Sequence, residues 1–327
     1  MKNKISVILP VYNGEKTIER AIMSLIKQSF KALKVIVIDD GSTDKTAQLV
    51  KKIQCDFPGK VIYHYQTNQG IAASRNFGLS KVDTEFFGFL DADDYVEFDM
   101  YQLLYEKIET TNSDVCSCDF YWTYPDSKKL KLAIDGPYAN PKEALEKMFM
   151  TLWNKLYRTD FIKKLDINFP DGLRYEDAYF LYCLLPHLNK LTYVAKPLVY
   201  YVQVAGSITH TYNINIQDMM AVFKGIKQYY QEHHYDTLYH SELEYIFIRF
   251  FLGNSYLRTC NIDDKLLRNK TLTLAWDFLN QNFPQWHNNS YLKTAGLKNK
   301  YFRIMNRKMY FFNVYLFRIL YKLKIMQ

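Results

Sequence analysis

Short apolar runs rich in β-branched residues alternate with longer amphipathic segments along the first hundred residues. Four of these runs predict buried strands: 5–10 (ISVILP), 35–39 (VIVID), 61–65 (VIYHY) and 85–90 (EFFGFL). The intervening segments carry apolar residues at helical spacing, as in 18–26, and Ser42, Thr43 and Asp44 offer N-caps for a second helix. This alternation predicts an α/β fold in which a mostly parallel, Rossmann-like sheet is flanked by helices on both faces.

The pattern changes twice further along the chain. Between 106 and 212 it becomes less regular, with strands predicted at 114–122 and 198–204 and helices near 141–150 and 175–185. From 213 onward it is mainly helical. We therefore predict one domain over 1–212, with halves 1–105 and 106–212, followed by a helical C-terminal region over 213–327.

Polar clusters follow the predicted strands of the first half. They are 10–13 (PVYN), 39–44 (DDGSTD), 68–70 (NQG) and 91–93 (DAD). In parallel α/β sheets, ligands bind beyond the carboxyl ends of the strands. We therefore expect all four clusters to converge on one rim of the sheet and to form a ligand site there.

The distribution of charge along the chain bears on whether nucleic acid is a partner. The net charge of +8 comes from the C-terminus, because Asp277 is the last acidic residue and nine Lys or Arg residues follow it. With no zinc-finger or aromatic RNA-binding pattern, this distribution argues against nucleic acid as a partner.

The five cysteines are odd in number, and Cys116-x-Cys118 is too closely spaced for a usual zinc site. We therefore expect the cysteines to be reduced thiols. The apolar run at the N-terminus is too short for a signal peptide, so we expect a cytoplasmic protein.

The Asp91-Ala-Asp93 segment is a candidate site for a divalent cation. Hard cations take oxygen ligands, and Mg²⁺ or Mn²⁺ shares its coordination between one or two carboxylates and substrate phosphates. Neither G-x-G-x-x-G nor a P-loop is present to supply backbone amides to phosphates, so a metal would replace them. The alternative is that both aspartates are ordinary turn or cap residues at a strand end.

A second acidic pair, Glu176 and Asp177, begins a predicted helix. Carboxylates at that position are favoured by the helix macrodipole, so capping alone accounts for them. The functional alternative is that one of them is a general base that removes a proton from an acceptor hydroxyl. The spacing does not distinguish between the two residues.

Four motifs in this order resemble those of the family-2 glycosyltransferases with the GT-A fold. They are 7–29 (VILPVYNGEKTIERAIMSLIKQS), 35–46 (VIVIDDGSTDKT), 68–79 (NQGIAASRNFGL) and 86–97 (FFGFLDADDYVE). The resemblance continues more weakly through 153–161, 174–180 and 199–210. It implies that 1–105 is the nucleotide-sugar half of the domain and 106–212 the acceptor half.

The resemblance also implies a nucleotide pocket. Pro10 and Tyr12 correspond to residues that line the nucleobase, and the pair Asp39 and Asp40 to the position that hydrogen-bonds it. Arg75 corresponds to a residue near the diphosphate.

Residue roles at the reacting centre follow from the same likeness. Asp91 is similar to the aspartate that faces the ribose and donor sugar, and Asp93 to the metal ligand, with Asp91 as a second candidate ligand. His210 lies where some relatives place a further diphosphate or metal contact, although a structural role is the alternative. Asp177 is similar to the catalytic base, with Glu176 the other candidate. Asn154 and Lys155 either touch a substrate or belong to the packing around Trp153.

The implied activity is inverting and metal-dependent, with Mn²⁺ or Mg²⁺. A hexosyl or N-acetylhexosaminyl group would move from a nucleotide-diphosphate sugar, most simply a UDP-sugar, to a hydroxyl of a cell-surface glycan or lipid-linked acceptor. The alternatives are a transferase acting on a protein such as an adhesin, and a sugar-nucleotide-binding partner subunit without turnover. The sequence does not specify the sugar, the acceptor or the oligomeric state, and a homo-oligomer is compatible with it.

The C-terminal segment 300–327 mixes aromatic and aliphatic residues with regularly placed Lys and Arg. These charges interrupt it too often for a membrane span. An interfacial amphipathic helix on the inner face of the cell membrane is the preferred model. The alternative is a helix that packs on the protein itself or on a second subunit.

Overall fold

The chain divides into two compact units, Met1–Ala205 and Gly206–Gln327, here called the N-terminal and C-terminal units. The structure, a computed structural model, describes residues 2–124, 127–203 and 215–322. The domain boundary predicted after residue 212 lies outside the described residues, as does His210.

One sheet of nine strands organises the described part of the N-terminal unit. The strands are β1 (Ile5–Val11), β2 (Leu33–Asp40), β3 (Val61–Gln66), β4 (Phe86–Phe89), β5 (Tyr95–Val96), β6 (Val115–Tyr124), β7 (Ser127–Ala133), β8 (Lys155–Arg158) and β9 (Leu191–Val202). The helices are α1 (Ile18–Ile26), α2 (Thr46–Asp56), α3 (Ile71–Ser80), α4 (Met100–Thr111), α5 (Pro141–Lys147), α6 (Thr159–Leu165) and α7 (Glu176–Leu184). The predicted α/β fold class is confirmed.

The strand order is β3-β2-β1-β4-β8-β6-β9-β5, and β7 pairs with β6 outside this path. β1 pairs in parallel with both β2 and β4, and β2 with β3, as the alternation of strands and helices predicts. Beyond β4 the sheet is mixed, because β8 runs antiparallel between β4 and β6 while β9 is parallel to β6.

The centre of the sheet fixes where the first two polar clusters lie. Every residue of β1 and β2 is buried, as expected for parallel strands covered on both faces. In the pairing register, Pro10 lies opposite Ile38 and Val11 opposite Asp39. The segments that follow β1 and β2 therefore leave the sheet side by side.

A fully buried polar network stabilises the second half of this unit. Lys155 Nζ donates to Asp135 Oδ2 over 2.9 Å and to the Thr151 carbonyl over 2.8 Å. Asn154 Nδ2 also donates to Asp135 Oδ2 over 2.7 Å, and the Lys155 and Asp135 side chains are both 0% exposed. This burial supports the packing interpretation of Asn154 and Lys155.

Replacement of Lys155 by Met should lower the free energy of unfolding by about 3–5 kcal/mol, because it leaves the buried Asp135 carboxylate without its counter-charge. Urea denaturation followed by circular dichroism measures the change. Lys147 is a matched control, since it forms an exposed helical ion pair with Glu143 over 2.8 Å. Lys147→Met should cost less than about 1 kcal/mol, and equal losses in both variants would contradict the assignment.

The described part of the C-terminal unit is helical, which confirms that prediction. Its helices are α8 (Ile216–Glu232), α9 (His240–Arg249), α10 (Ser255–Cys260), α11 (Lys265–Asn282), α12 (Leu297–Ile304) and α13 (Arg307–Lys322), with a π-helical turn at Phe250–Asn254 between α9 and α10 and short 3₁₀ turns at Trp286–Asn288 and Ser290–Lys293. The C-terminal segment forms two helices, α12 and α13, where the sequence predicted one. Over the described ranges, every helix falls short of the length and apolarity needed to cross a bilayer.

Candidate active site

Hydrogen bonds between the loops that follow β1 and β2 hold these two strand ends together. The backbone N–H of Asn13 donates to Ser42 Oγ over 2.9 Å, and Asn13 Oδ1 in turn accepts from the Thr43 N–H over 2.8 Å. The Gly14 N–H donates to Thr46 Oγ1 over 2.9 Å. The polar residues of both clusters thus build a defined rim, as predicted from their placement after strands.

Of the residues predicted to line a nucleobase, Pro10 is buried within β1 and Tyr12 is 54% exposed. Asp39 is fully buried at the end of β2, where its carboxylate accepts from the Ser42 N–H (2.8 Å) and the Tyr63 hydroxyl (2.7 Å). The sequence analysis did not identify the contact between Tyr63 and Asp39. Tyr63 lies on β3, the neighbour of β2, and that placement was the signal that could have indicated it.

Asp40 shapes the next loop. Its carboxylate accepts from the backbone N–H groups of Gln69 (2.9 Å) and Gly70 (2.8 Å), at the start of α3. The adjacent Gly41 has φ +79°, and a Cβ there would come within 2.8 Å of the Asn68 nitrogen. Only glycine fits this close approach, so the turn after β2 and the 68–70 loop form one packed rim.

Arg75 joins the two acidic segments that the sequence singled out. It lies on α3, is 5% exposed, and donates from Nη2 to Asp91 Oδ1 over 3.0 Å and from Nη1 to Glu176 Oε1. Burial opposes its charge, but Asp91 and Glu176 outweigh this effect and raise the pKa of Arg75. Phe169 packs near the guanidinium at 5.7 Å from its ring centroid, another contact that sequence reasoning missed.

The segment after β4 turns sharply and brings its carboxylates close together. The Asp94 N–H donates to the Asp91 carbonyl over 3.1 Å, and Arg20 Nη2 donates to the Asp93 carbonyl over 2.5 Å. Burial, with a further contribution from the negative charge of Asp91, raises the pKa of Asp93 to about 6. Negative charge is therefore energetically unfavourable at this turn unless a cation neutralises it.

Asp94 has a structural position beside the two candidate ligands. It is fully buried, and its Oδ1 accepts from the Val202 N–H over 2.8 Å at the end of β9. Burial, then the charges of Asp93 and Asp91, raise its pKa well above the ordinary value. Asp94 thus ties the turn that carries Asp91 and Asp93 to a distant strand.

The donor set at this turn fits a hard divalent cation only in part. Asp91 and Asp93 supply carboxylate oxygens, the ligands that Mg²⁺ and Mn²⁺ prefer. Within 2–124, 127–203 and 215–322, no group of three or more His, Cys, Asp or Glu side chains is arranged to hold a metal ion. Two carboxylates suit a metal that also binds substrate phosphates, whereas a cage made wholly of protein ligands is not formed there.

The two acidic residues at the start of α7 differ in their surroundings. Glu176 is buried and paired with Arg75, whereas Asp177 forms no salt bridge with any described residue and its Oδ1 accepts from the Ala178 N–H over 2.7 Å. Burial raises the pKa of Asp177, the charge of Glu176 adds to this effect, and Arg75 opposes it. Asp177 therefore has a greater tendency to take up a proton than an ordinary aspartate has.

Comparison with known proteins relates the first half of the chain to one protein family. Residues 6–167 match the model of glycosyl transferase family 2. An uncharacterized glycosyltransferase of Haemophilus influenzae is 32% identical over 186 residues, which are 55% of this chain and 71% of that protein. The poly(ribitol-phosphate) beta-N-acetylglucosaminyltransferase TarS of Staphylococcus aureus is 32% identical over 206 residues, 61% of this chain and 35% of TarS.

Two solved structures extend the comparison over most of the chain. A structure of TarS in complex with UDP has a TM-score of 0.55 and 25% identity, and the match covers 91% of this chain and 77% of that one. A mannosyltransferase from Pyrobaculum calidifontis, in complex with GDP-mannose and Mn²⁺, shares the fold, with a TM-score of 0.50, 14% identity and coverage of 97% and 87%. This chain spans only 32% to 62% of the length of several curated relatives.

Proposed function

Because the chain belongs to glycosyl transferase family 2, we propose that it transfers a sugar from a UDP-sugar to a hydroxyl group of a cell-surface glycan or lipid-linked acceptor. The observation that carries the proposal is the double ion pair of Arg75 with Asp91 and Glu176. It joins the strand-end turn, which suits a nucleotide diphosphate and a cation, to the helix start that offers a general base. A transferase needs both at one centre.

The donor is proposed to be a UDP-linked hexose or N-acetylhexosamine. TarS, a relative at 32% identity, has been solved with UDP and with UDP-GlcNAc. In this chain the uracil would lie against Pro10 and Tyr12, within reach of Asp39. Asp40 would act indirectly, by holding the 68–70 loop in place.

Mn²⁺ or Mg²⁺ would be held by Asp93 and Asp91. When bound, the cation supplies Lewis-acid stabilisation of the charge that develops on the departing diphosphate. The pKa of Asp93, which burial and then the charge of Asp91 raise, supports this assignment, because a bound cation would offset both effects. Arg75 would keep the Asp91 carboxylate oriented toward the ribose and donor sugar.

Asp177 is proposed as the general base. Its carboxylate would take the proton of the acceptor hydroxyl as that oxygen attacks the anomeric carbon and the bond to the diphosphate breaks. A single displacement of this kind inverts the configuration at that carbon. Glu176 would be a positioning residue that anchors Arg75 and the start of α7.

The acceptor is proposed to be a glycan of the cell envelope that grows on a lipid carrier. The name of TarS refers to a poly(ribitol-phosphate) acceptor, which supports this class of substrate by analogy. The reaction would then take place in the cytoplasm at the inner face of the cell membrane.

A panel of nucleotide sugars tests the proposal through release of nucleoside diphosphate. With Mn²⁺ we expect at least one UDP-sugar to be turned over, and EDTA should abolish the release because the diphosphate then lacks its counter-charge. Added Mn²⁺ should restore it. Binding of UDP without turnover of any donor would contradict the proposal and favour a binding subunit.

A further inference from the structure

Helix α13 packs with one face on its own unit. Tyr310 and Val314 are buried on this face, and the Tyr310 carbonyl accepts from the Tyr256 hydroxyl over 2.6 Å. Arg318 Nη1 donates to the carbonyls of Cys260 (2.9 Å) and Ile262 (2.8 Å). These contacts fix the rotation of α13 and so determine which residues point away from the unit.

The opposite face exposes four large apolar side chains. They are Phe312 (74% exposed), Tyr315 (59%), Leu316 (50%) and Ile319 (55%). Their spacing of i, i+3, i+4 and i+7 aligns them in one stripe along the helix. Water contact with such a stripe is unfavourable, and a continuous exposed apolar surface indicates a partner.

Basic residues accompany the stripe. Lys308 is exposed and lies one helical turn before Phe312, on the same face. Arg307 pairs with Asp277 over 3.8 Å, whereas Lys308 opposes the helix macrodipole in a first turn of α13 that contains no acidic residue. Helix stability therefore does not explain the presence of Lys308, and an anionic partner would.

We propose that the stripe face of α13, formed by Phe312, Tyr315, Leu316 and Ile319 with Lys308, docks on an anionic phospholipid bilayer. Apolar side chains would enter the headgroup boundary while cations meet the lipid phosphates. Because α13 contains no acidic residue, a second copy meeting through this face would bring no counter-charge to Lys308. This proposal rests on the proposed function in one respect: a lipid-linked acceptor would lie at the same membrane surface.

Flotation of the full chain with lipid vesicles tests the proposal. We expect it to float with vesicles of phosphatidylcholine and phosphatidylglycerol in equal parts, and much less with phosphatidylcholine alone. The double variant Phe312→Ser/Leu316→Ser should lower vesicle binding about tenfold or more, because two apolar anchors are removed. Lys308→Gln should lower it about fivefold, and added salt should lower binding of the native chain.

Matched variants elsewhere on the C-terminal unit serve as controls. Leu266 is 82% exposed on α11, and Lys270 is exposed on the same helix. Leu266→Ser and Lys270→Gln should leave vesicle binding unchanged. Equal losses in control and stripe variants, or no binding to either vesicle, would overturn the proposal. A dimer in light scattering that the double variant dissociates would instead assign the stripe face to a second copy.

Turnover of the donor in solution separates this proposal from the proposed function. The stripe variants should release nucleoside diphosphate from a soluble donor at the native rate, since the residues assigned to the reaction all lie outside α13. A chain that turns over donor but fails to bind vesicles refutes only the docking. One that binds vesicles but turns over no donor refutes only the function.

Discussion

Asp177→Asn is expected to reduce sugar transfer by about 10²- to 10⁴-fold, because the amide cannot accept the proton of the acceptor hydroxyl. UDP binding should be nearly unchanged, since Asp177 forms no salt bridge with the described residues, Arg75 included. Nucleoside diphosphate release measures transfer, and isothermal titration calorimetry with UDP and Mn²⁺ measures binding. Native transfer by this variant would show that the base lies elsewhere.

Glu176→Gln is the matched comparison for that variant. It removes one of the two anionic partners of the buried Arg75, so it should weaken UDP binding as well as transfer. The pH profile gives a second readout for the base. Because burial raises the pKa of Asp177 and the ionised form accepts the proton, transfer should fall with decreasing pH at a higher pH than an ordinary aspartate would give.

Asp93→Asn is expected to abolish the stimulation of UDP binding by Mn²⁺ and to lower transfer by about 10²- to 10³-fold, the usual effect of losing one preorganised stabiliser of transition-state charge. A carboxamide is a poorer ligand for a hard cation than a carboxylate, so the metal and the diphosphate it neutralises would both bind less tightly. Calorimetric titration of UDP with Mn²⁺ and with EDTA measures the effect.

Asp56→Asn is a suitable control because Asp56 is exposed at the end of α2, away from the strand-end clusters in sequence. It should retain the full response to Mn²⁺. If Asp93→Asn keeps the same response as the control, Asp93 is not the metal ligand.

The alternation of strands and helices predicts the parallel part of the sheet, because each of these elements is indicated by the pattern of residues close together in the sequence. The apolar runs within β1 and β2 predict buried strands, and every residue of both strands is buried. The convergence of the polar clusters follows from the rule for parallel strands, and the loop contacts of Asn13 and Asp40 agree with it. The motifs also identified the family, since four of them in order are more specific than any one.

Contacts between residues far apart in sequence could not be predicted in the same way. Arg75 and Glu176 are separated by 101 positions, and their ion pair depends on how α7 is placed relative to α3. The fully buried pair of Lys155 and Asp135 has no periodic signal, because a charged residue ordinarily predicts an exposed position. The antiparallel insertion of β8 likewise reflects pairing between distant segments.

The preference for Asp177 over Glu176 as the base illustrates the same limit. Adjacent acidic residues at a helix start are equivalent in sequence, and both are favoured by the helix macrodipole. The family likeness favours Asp177, and the tertiary structure adds a physical difference, because Glu176 is engaged in an ion pair with Arg75 whereas burial raises the pKa of Asp177.

We propose that one centre, built from Asp91, Asp93, Arg75 and Asp177, moves a sugar from UDP in a single displacement. Proton NMR of the reaction with the UDP-sugar that is turned over fastest tests it most directly, because the anomeric signal of the first product reports the stereochemistry. We expect release of UDP together with an inverted anomeric configuration, a β product from an α-linked donor. A product with retained configuration, or no release of UDP from any donor, would contradict it.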